Sequence, residues 1–347
     1  MSTGHWLATV GGAGGAGAWK ELGRTTLGSA GDVLDVGSLA NKRYYMVIRH
    51  IKSDGNVAVY NRLNGDTGSN YSLRQMENGS GSSAASQSSA IYDSGGNAGQ
   101  KFDITYIVNK TSLPKLAIGY QINAATGAAN APVSLESHWK WANSSNAITT
   151  VNTFNDSSQS GDIDAGSEVV VLGYDPSDST GSNFWEELAS VQLSGASDTL
   201  SSGTIAEKKY LWVQAYVEGT GSVAYNIRFN GASGSVYSMR YNVNGGAASG
   251  NITDGDSIFA MLSTGGSSSV GDPIFTNFFI VNNASTEKLV IGKSVGGTAG
   301  SANALNRMDI AGKWADTSDL IDQIDIVNDV GSADFTKSSF IKVWGHD

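Results

Sequence analysis

The sequence predicts an all-β chain: two tandem jelly-roll-like β-sandwiches behind a flexible N-terminal arm. Three observations lead there. Glycine supplies 44 of 347 residues, proline only 4, and charged residues 16%, a profile of short strands and small-residue turns rather than of a charge-rich disordered chain. The chain repeats itself. Its apolar segments are short, β-branched or aromatic, and separated by glycine-rich loops at regular intervals.

The repeat sets the domain plan. Trp19-Lys-Glu-Leu22 returns as Trp185-Glu-Glu-Leu188, a spacing of 166. At the same spacing Arg62, Asn64, Gly65, Gly68, Ser69, Tyr71, Ser72 and Arg74 return as Arg228, Asn230, Gly231, Gly234, Ser235, Tyr237, Ser238 and Arg240. Further on the spacing is 173: Lys115-Leu-Ala-Ile-Gly119 meets Lys288-Leu-Val-Ile-Gly292, and Lys140-Trp-Ala142 meets Lys313-Trp-Ala315. The plan is an arm (1–18), a first unit (19–175), a short polar linker (176–184) and a second unit (185–347).

Taken in order, the arm holds Gly12-Ala-Gly-Gly-Ala-Gly17, which matches a dinucleotide fingerprint, but no βαβ unit surrounds it and the motif means nothing without one. Tyr44–Ile51 is β-rich. Lys101–Val108 alternates with period two through Phe102, Ile104 and Tyr106, which predicts a strand with that face buried. Asp316–Asp325 is the longest helix-permissive piece, yet its counterpart Asn143–Asn152 is polar and β-branched, so both read as loop plus strand. Val169–Leu172 and Phe340–Trp344 close the units.

The formal net charge is −10 and the 22 Lys and Arg are scattered, which argues against a nucleic-acid or anionic-membrane partner. There is no cysteine, hence no disulfide and no thiolate zinc site. The N-terminus lacks a basic leader, and no apolar run approaches the roughly 20 residues of a membrane span. The expectation is a soluble protein without an obvious export route.

The duplication is an internal control: what both copies keep serves the shared fold, and what one copy has alone is free for a local task. The loop RLNGDTGSNYSLR (62–74) looks like a calcium loop, but in RFNGASGSVYSMR (228–240) Asp66 becomes Ala232 and Asn70 becomes Val236. Its carboxylate is lost, so a glycine turn explains both copies. His5, His50, His138 and His346 are not spaced as a zinc pair. The acids shared by the copies, Asp32 with Asp198 and Asp162 with Asp334, sit in turn-like contexts. No nucleophile elbow or metalloprotease helix occurs. The sequence therefore predicts no catalytic residue, no cofactor and no metal.

Trp19, Tyr44, Tyr71 and Trp141 recur and read as core or sheet-face residues. Trp139 (facing Gly312), His138 (facing Ala311), Trp212 (facing Met46) and Tyr241 (facing Gln75) belong to one copy each. They are the candidate contacts for a sugar or a protein, with ordinary packing as the competing reading. In the arm, Trp6 and Leu7 are candidate apolar anchors.

The order carried by Trp185–Leu188, Arg228–Arg240, Ile280–Leu289, Gly312–Ala315 and Ser339–Gly345, and by their first-unit partners, resembles a β-sandwich module of tailed-phage virion proteins, especially from aquatic phages. The first unit departs at Trp139, where the pattern has Gly, and at Leu63, where it has Phe. The resemblance implies a surface-exposed capsid decoration or a tail or fibre appendage, assembled in the host cytoplasm and residing in the virion. It implies a homo-oligomer, other virion proteins as partners, possible contact with a host-surface glycan, and no catalytic residues. A double jelly-roll major capsid protein and a carbohydrate-binding module are the alternatives.

Overall fold

A computed structural model describes residues 19–347 apart from 54, 56, 91–98, 156–160, 179–182, 222, 246–248, 263–272, 298–304 and 329–332. The arm, with Trp6 and Leu7, lies outside the described residues. The first unit consists of β1 (Lys20–Thr26), β2 (Val33–Val36), β3 (Tyr44–Ser53), β4 (Val59–Leu63), β5 (Tyr71–Glu77), β6 (Ser80–Gln87), β7 (Gly99–Val108), β8 (Lys115–Ala124), β9 (Val133–Trp141), β10 (Val151–Asn155) and β11 (Glu168–Tyr174). The second consists of β12 (Glu186–Gln192), β13 (Thr199–Ser201), β14 (Tyr210–Glu218), β15 (Ala224–Phe229), β16 (Tyr237–Val243), β17 (Ser249–Gly255), β18 (Ile258–Leu262), β19 (Pro273–Val281), β20 (Lys288–Gly296), β21 (Asn306–Trp314), β22 (Ile324–Val327) and β23 (Phe340–His346).

Among the described residues there is no helix, and none long and apolar enough to cross a membrane. The chain is all-β, with two jelly-roll-like sandwiches in tandem. Each unit has an eight-stranded sheet, in the orders β1-β11-β3-β7-β8-β9-β5-β6 and β12-β23-β14-β19-β20-β21-β16-β17. Each is closed by a smaller sheet, β2-β10-β4 in one and β13-β22-β15-β18 in the other. Among the described residues the two orders match strand for strand, and the counterpart of β18 begins at Ala90, beyond which residues 91–98 are not described. Where Ile227 pairs with Ile258 of β18, Asn61 pairs with Ala90 in the first unit. Even the irregularities repeat, with bulges at Glu21/Gly23 and at Glu187/Ala189. The segment at 316–325 is loop plus the start of β22, as expected.

The glycine loops show why their residues recur. Asn64 and Gly65 both have positive φ (55° and 63°), as do Asn230 and Gly231 (51° and 69°), a conformation that Gly and Asn tolerate. The Asn64 side chain accepts from Thr149 N (2.8 Å) and donates to Ala147 O (2.7 Å), while Asn230 accepts from Asp322 N (3.0 Å) and donates to Leu320 O (2.8 Å). The turn is thereby clamped to the strand that follows in space. Tyr71 and Tyr237 each take a backbone N–H through the hydroxyl, from Leu63 and Phe229, at 2.9 Å. They stack on Trp141 and Trp314 with ring centroids 6.4 Å apart in both units. Arg62 and Arg228 donate to the carbonyls of Ser88 and Asp256.

Each sandwich has its own core, and a third core lies between them. The outer faces of the two large sheets pack together: Met46, Ile48, Phe102, Ile104, Ile122 and Val170 meet Tyr210, Phe279, Val281, Leu289, Ile291 and Trp344. The molecule is therefore four layers deep, small sheet, large, large, small. Two sequence expectations change here. The linker is not only polar, because Phe184, which ends it, is 3% exposed in this joint. And Phe102 and Ile104 face the other unit, whereas Lys101, Asp103 and Thr105 point into their own sandwich.

Candidate functional site

The four candidate contact residues within the described chain are not brought together. Trp139 is 4% exposed, inside the first core. The duplication explains it as a packing exchange: its counterpart Gly312 has no room for a side chain, since a Cβ there would sit 2.9 Å from Ile258 Cδ1. Ile258 occupies the place that small Ala90 holds in the first unit. The indole fills in one copy what the Ile258 side chain fills in the other. Trp212 lies in the joint, its ring 5.0 Å from Trp344, 5.6 Å from Phe279 and 5.8 Å from Trp185, with Nε1 donating to Asn277 Oδ1 (2.7 Å). Tyr241 is half-buried edge-on against Phe259. His138 alone is exposed, 3.9 Å from Glu136. Trp139 is therefore enclosed, and the partly buried Trp212 is packed into an aromatic cluster.

Asp66, the residue that suggested calcium, works as an internal acceptor. Its carboxylate takes hydrogen bonds from Trp141 Nε1 (2.6 Å), Asn70 Nδ2 (2.8 Å) and Gly68 N (2.8 Å). Burial works to raise its pKa, but these three donors and Arg62 bring it below the usual carboxylate range. Ala232 cannot do this, and Trp314 Nε1 is buried without a partner. Ala232→Asp is therefore expected to stabilise the protein by about 1 kcal/mol, read by urea denaturation, and Asp66→Ala to cost about as much. Melts with and without EDTA are expected to coincide. Among the described residues no three His, Asp or Glu are placed to hold a metal.

Sequence reasoning missed the charged interior of the first unit. Arg49, 2% exposed, is ion-paired with Asp103 (5%) and donates to Thr153 Oγ1 (3.0 Å) and Thr105 Oγ1 (3.2 Å). Thr153 continues to Asn61 (3.0 Å). Arg49, Asn61, Lys101, Asp103 and Gln121 border a small cavity. Burial lowers the Arg49 pKa and raises that of Asp103, against their mutual attraction. At the matching positions the second unit has Ala215, Ile227, Ile274, Thr276, Phe278 and Ile326. The Arg49/Ala215 mismatch was the available signal.

The joint carries a second polar group. Glu168 accepts from Tyr210 Oη (2.8 Å), Lys209 Nζ (3.0 Å) and Thr26 Oγ1 (2.6 Å), tying the units together. Lys313 is fully buried, bonded to Ala125 O and 3.3 Å from Glu287, whose other oxygen accepts from Gly127 N (2.6 Å). His50, fully buried and paired in the sheet with Glu168, holds Gln100 (2.9 Å) and has its pKa pushed down to about 4, chiefly by burial. Its folded value lies below the unfolded 6.5, so the stability linked to its neutral form is complete above pH 6.5 and is lost as pH falls through 4. The expected loss is about 3 kcal/mol. Urea titrations of His50→Gln are expected to show a shallower decline than wild type over that window.

No family model matches the chain, and no curated protein does. Among solved structures it is similar to mouse laminin α1 chain domains LG4-5, at 11% identity over 97% of this chain and 92% of that one, TM-score 0.16. It is also similar to the LG1-3 region of the laminin α2 chain, at 9% identity over 90% and 64%, TM-score 0.18. A third similarity is to the paired C2 domains of Extended-Synaptotagmin 2, at 6% identity over 88% and 93%, TM-score 0.13.

Proposed function

We propose that this chain is a non-enzymatic structural protein of a bacteriophage virion, exposed on the particle as a capsid decoration or a tail or fibre appendage. It works as a repeated array or homo-oligomer beside other virion proteins, and it is assembled in the host cytoplasm. The observation that supports this reading is the use made of the duplicated residues. The Asn, Tyr and Trp of the shared motif are engaged in clamping turns and filling cores in both units. Chemistry kept twice and directed inward suits a part that holds a shape, and repeated shapes turn weak contacts into firm attachment. A glycan reading on Trp139 or Trp212 loses support from the enclosure of the first and the aromatic packing of the second.

Immunogold labelling tests the reading. Label on the surface of intact particles is expected, and particles that carry none overturn it. Negative-stain images of the purified protein address the capsid alternative: discrete oligomers are expected, and closed shells would favour a major capsid protein. Deleting residues 2–18 is expected to leave the melting profile unchanged and to abolish decoration of particles that lack their native copy.

A further inference from the structure

Val108, Leu116 and Ile118 lie side by side on the outer face of the first large sheet, with Val108 opposite Leu116 in the β7–β8 ladder. They are 43, 58 and 44% exposed. Their counterparts, 173 positions on, are Val281, Leu289 and Ile291, the same three residue types, and these are 0, 0 and 3% exposed. One surface thus has two fates. In the second unit it is covered by a large sheet of this same fold, and in the first unit it is left open.

The second large sheet has the reverse vacancy. Phe102, which the joint buries in the first unit, has Phe275 as its counterpart, 37% exposed beside Tyr216 and Phe340. Tyr216 and Phe340 stack on each other at 5.5 Å, so they present edges rather than a flat sugar platform. Each chain therefore leaves open a counterpart of each half of its own joint, although the second unit has Gln214, Asn277 and Lys342 where the first has Ile48, Ile104 and Val170.

We propose that the Val108–Leu116–Ile118 patch docks a second copy of this chain, on the Phe275 face of that copy's second unit. Copies then join head to tail through a contact centred on Phe275 that is more polar than the internal joint. This rests on the reading of the chain as a repeated part and names its partner. The patch is continuous with the joint: Ile122 and Ala124, further along β8 on the same face, are already buried there.

The exposed His138 and Lys140 rim the patch, opposite Ile118 and Leu116. The Phe275 face carries Lys293, Arg307 and Lys342 beside Glu218 and Asp309, so the contact rests on its apolar side chains and not on opposite charge. A contact between unlike surfaces does not close on itself in a pair, so it generates a ring or an open row.

Sedimentation velocity of the full chain over a wide concentration range tests this. Wild type is expected to associate. Leu116→Glu/Ile118→Glu is expected to weaken association about tenfold or more, as is Phe275→Glu. Mixing the two variants is expected to restore a dimer and nothing larger, because each keeps one good half. Melting profiles of both variants control for folding. A wild type that stays monomeric, variants that associate like wild type, or a mixture that stays monomeric overturns the proposal. So does association that appears only when residues 2–18 are removed, since the patch would then belong to the chain's own arm. Monomeric protein that still labels particles sinks the head-to-tail contact alone. Association with no particle label sinks the virion reading alone.

Discussion

Arg49→Ala is expected to lower the unfolding free energy by about 3–5 kcal/mol, the largest loss for any single truncation in the first unit. The guanidinium is the only cation paired with Asp103 among the described ion pairs, and it also holds Thr105 and Thr153. Without it a carboxylate is left buried and uncompensated, and two hydroxyls lose a donor. The second unit shows that the charges are not demanded by the fold, because Ala215, Ile227, Thr276, Phe278 and Ile326 fill the same places. Moving that whole set into the first unit is expected to recover the loss, since well-packed apolar replacements of a buried pair are often neutral or better. Urea denaturation of both variants checks this. A loss under about 1 kcal/mol for Arg49→Ala would show that water reaches Asp103 and solvates it.

The second large effect is a matched pair. Leu289→Asp is expected to cost about 4 kcal/mol or more, because position 289 is fully enclosed in the joint and a carboxylate there is desolvated among apolar side chains. Leu116→Asp, the same change at the equivalent place in the other copy, is expected to stay within about 0.5 kcal/mol in dilute protein, because that side chain faces solvent. Thermal melts of the two variants side by side provide the measurement. Equal losses would mean that the joint does not distinguish the units.

The two like sandwiches and their matching glycine corners were legible in the sequence because turn residues and strand residues repeat together, and each copy explains the other. Asn64 with Asn230 and Tyr71 with Tyr237 mark the same corner twice. The joint was not legible. Strand β7 is buried on both faces, so its alternation of Phe102, Ile104 and Tyr106 with Lys101, Asp103 and Thr105 marks a boundary between two interiors, not between core and water. The apolar set found the neighbouring unit and the polar set formed the inside of the sandwich. Nor could spacing tell a Trp that meets a ligand from one that meets the other half of its own chain, as with Trp212. Trp139 misled for a different reason: its compensation, Ala90 against Ile258, lies at a position whose sequence spacing between the copies, 168, matches neither 166 nor 173.

That exchange has a genetic consequence. Repeated halves of one gene are prone to overwrite each other by recombination. Copying Trp for Gly312 alone would drive an indole into Ile258, and copying Gly for Trp139 alone would leave a void lined by Ala90 and its neighbours. A tract gives a folded product when it carries positions 90 and 139 together or neither of them. Recombination is thus expected to homogenise the two glycine corners, where the same residues meet the same partners, while it leaves the cores to diverge. Sequencing recombinants selected for stable protein would reveal this as an excess of tracts that end outside the interval from 90 to 139.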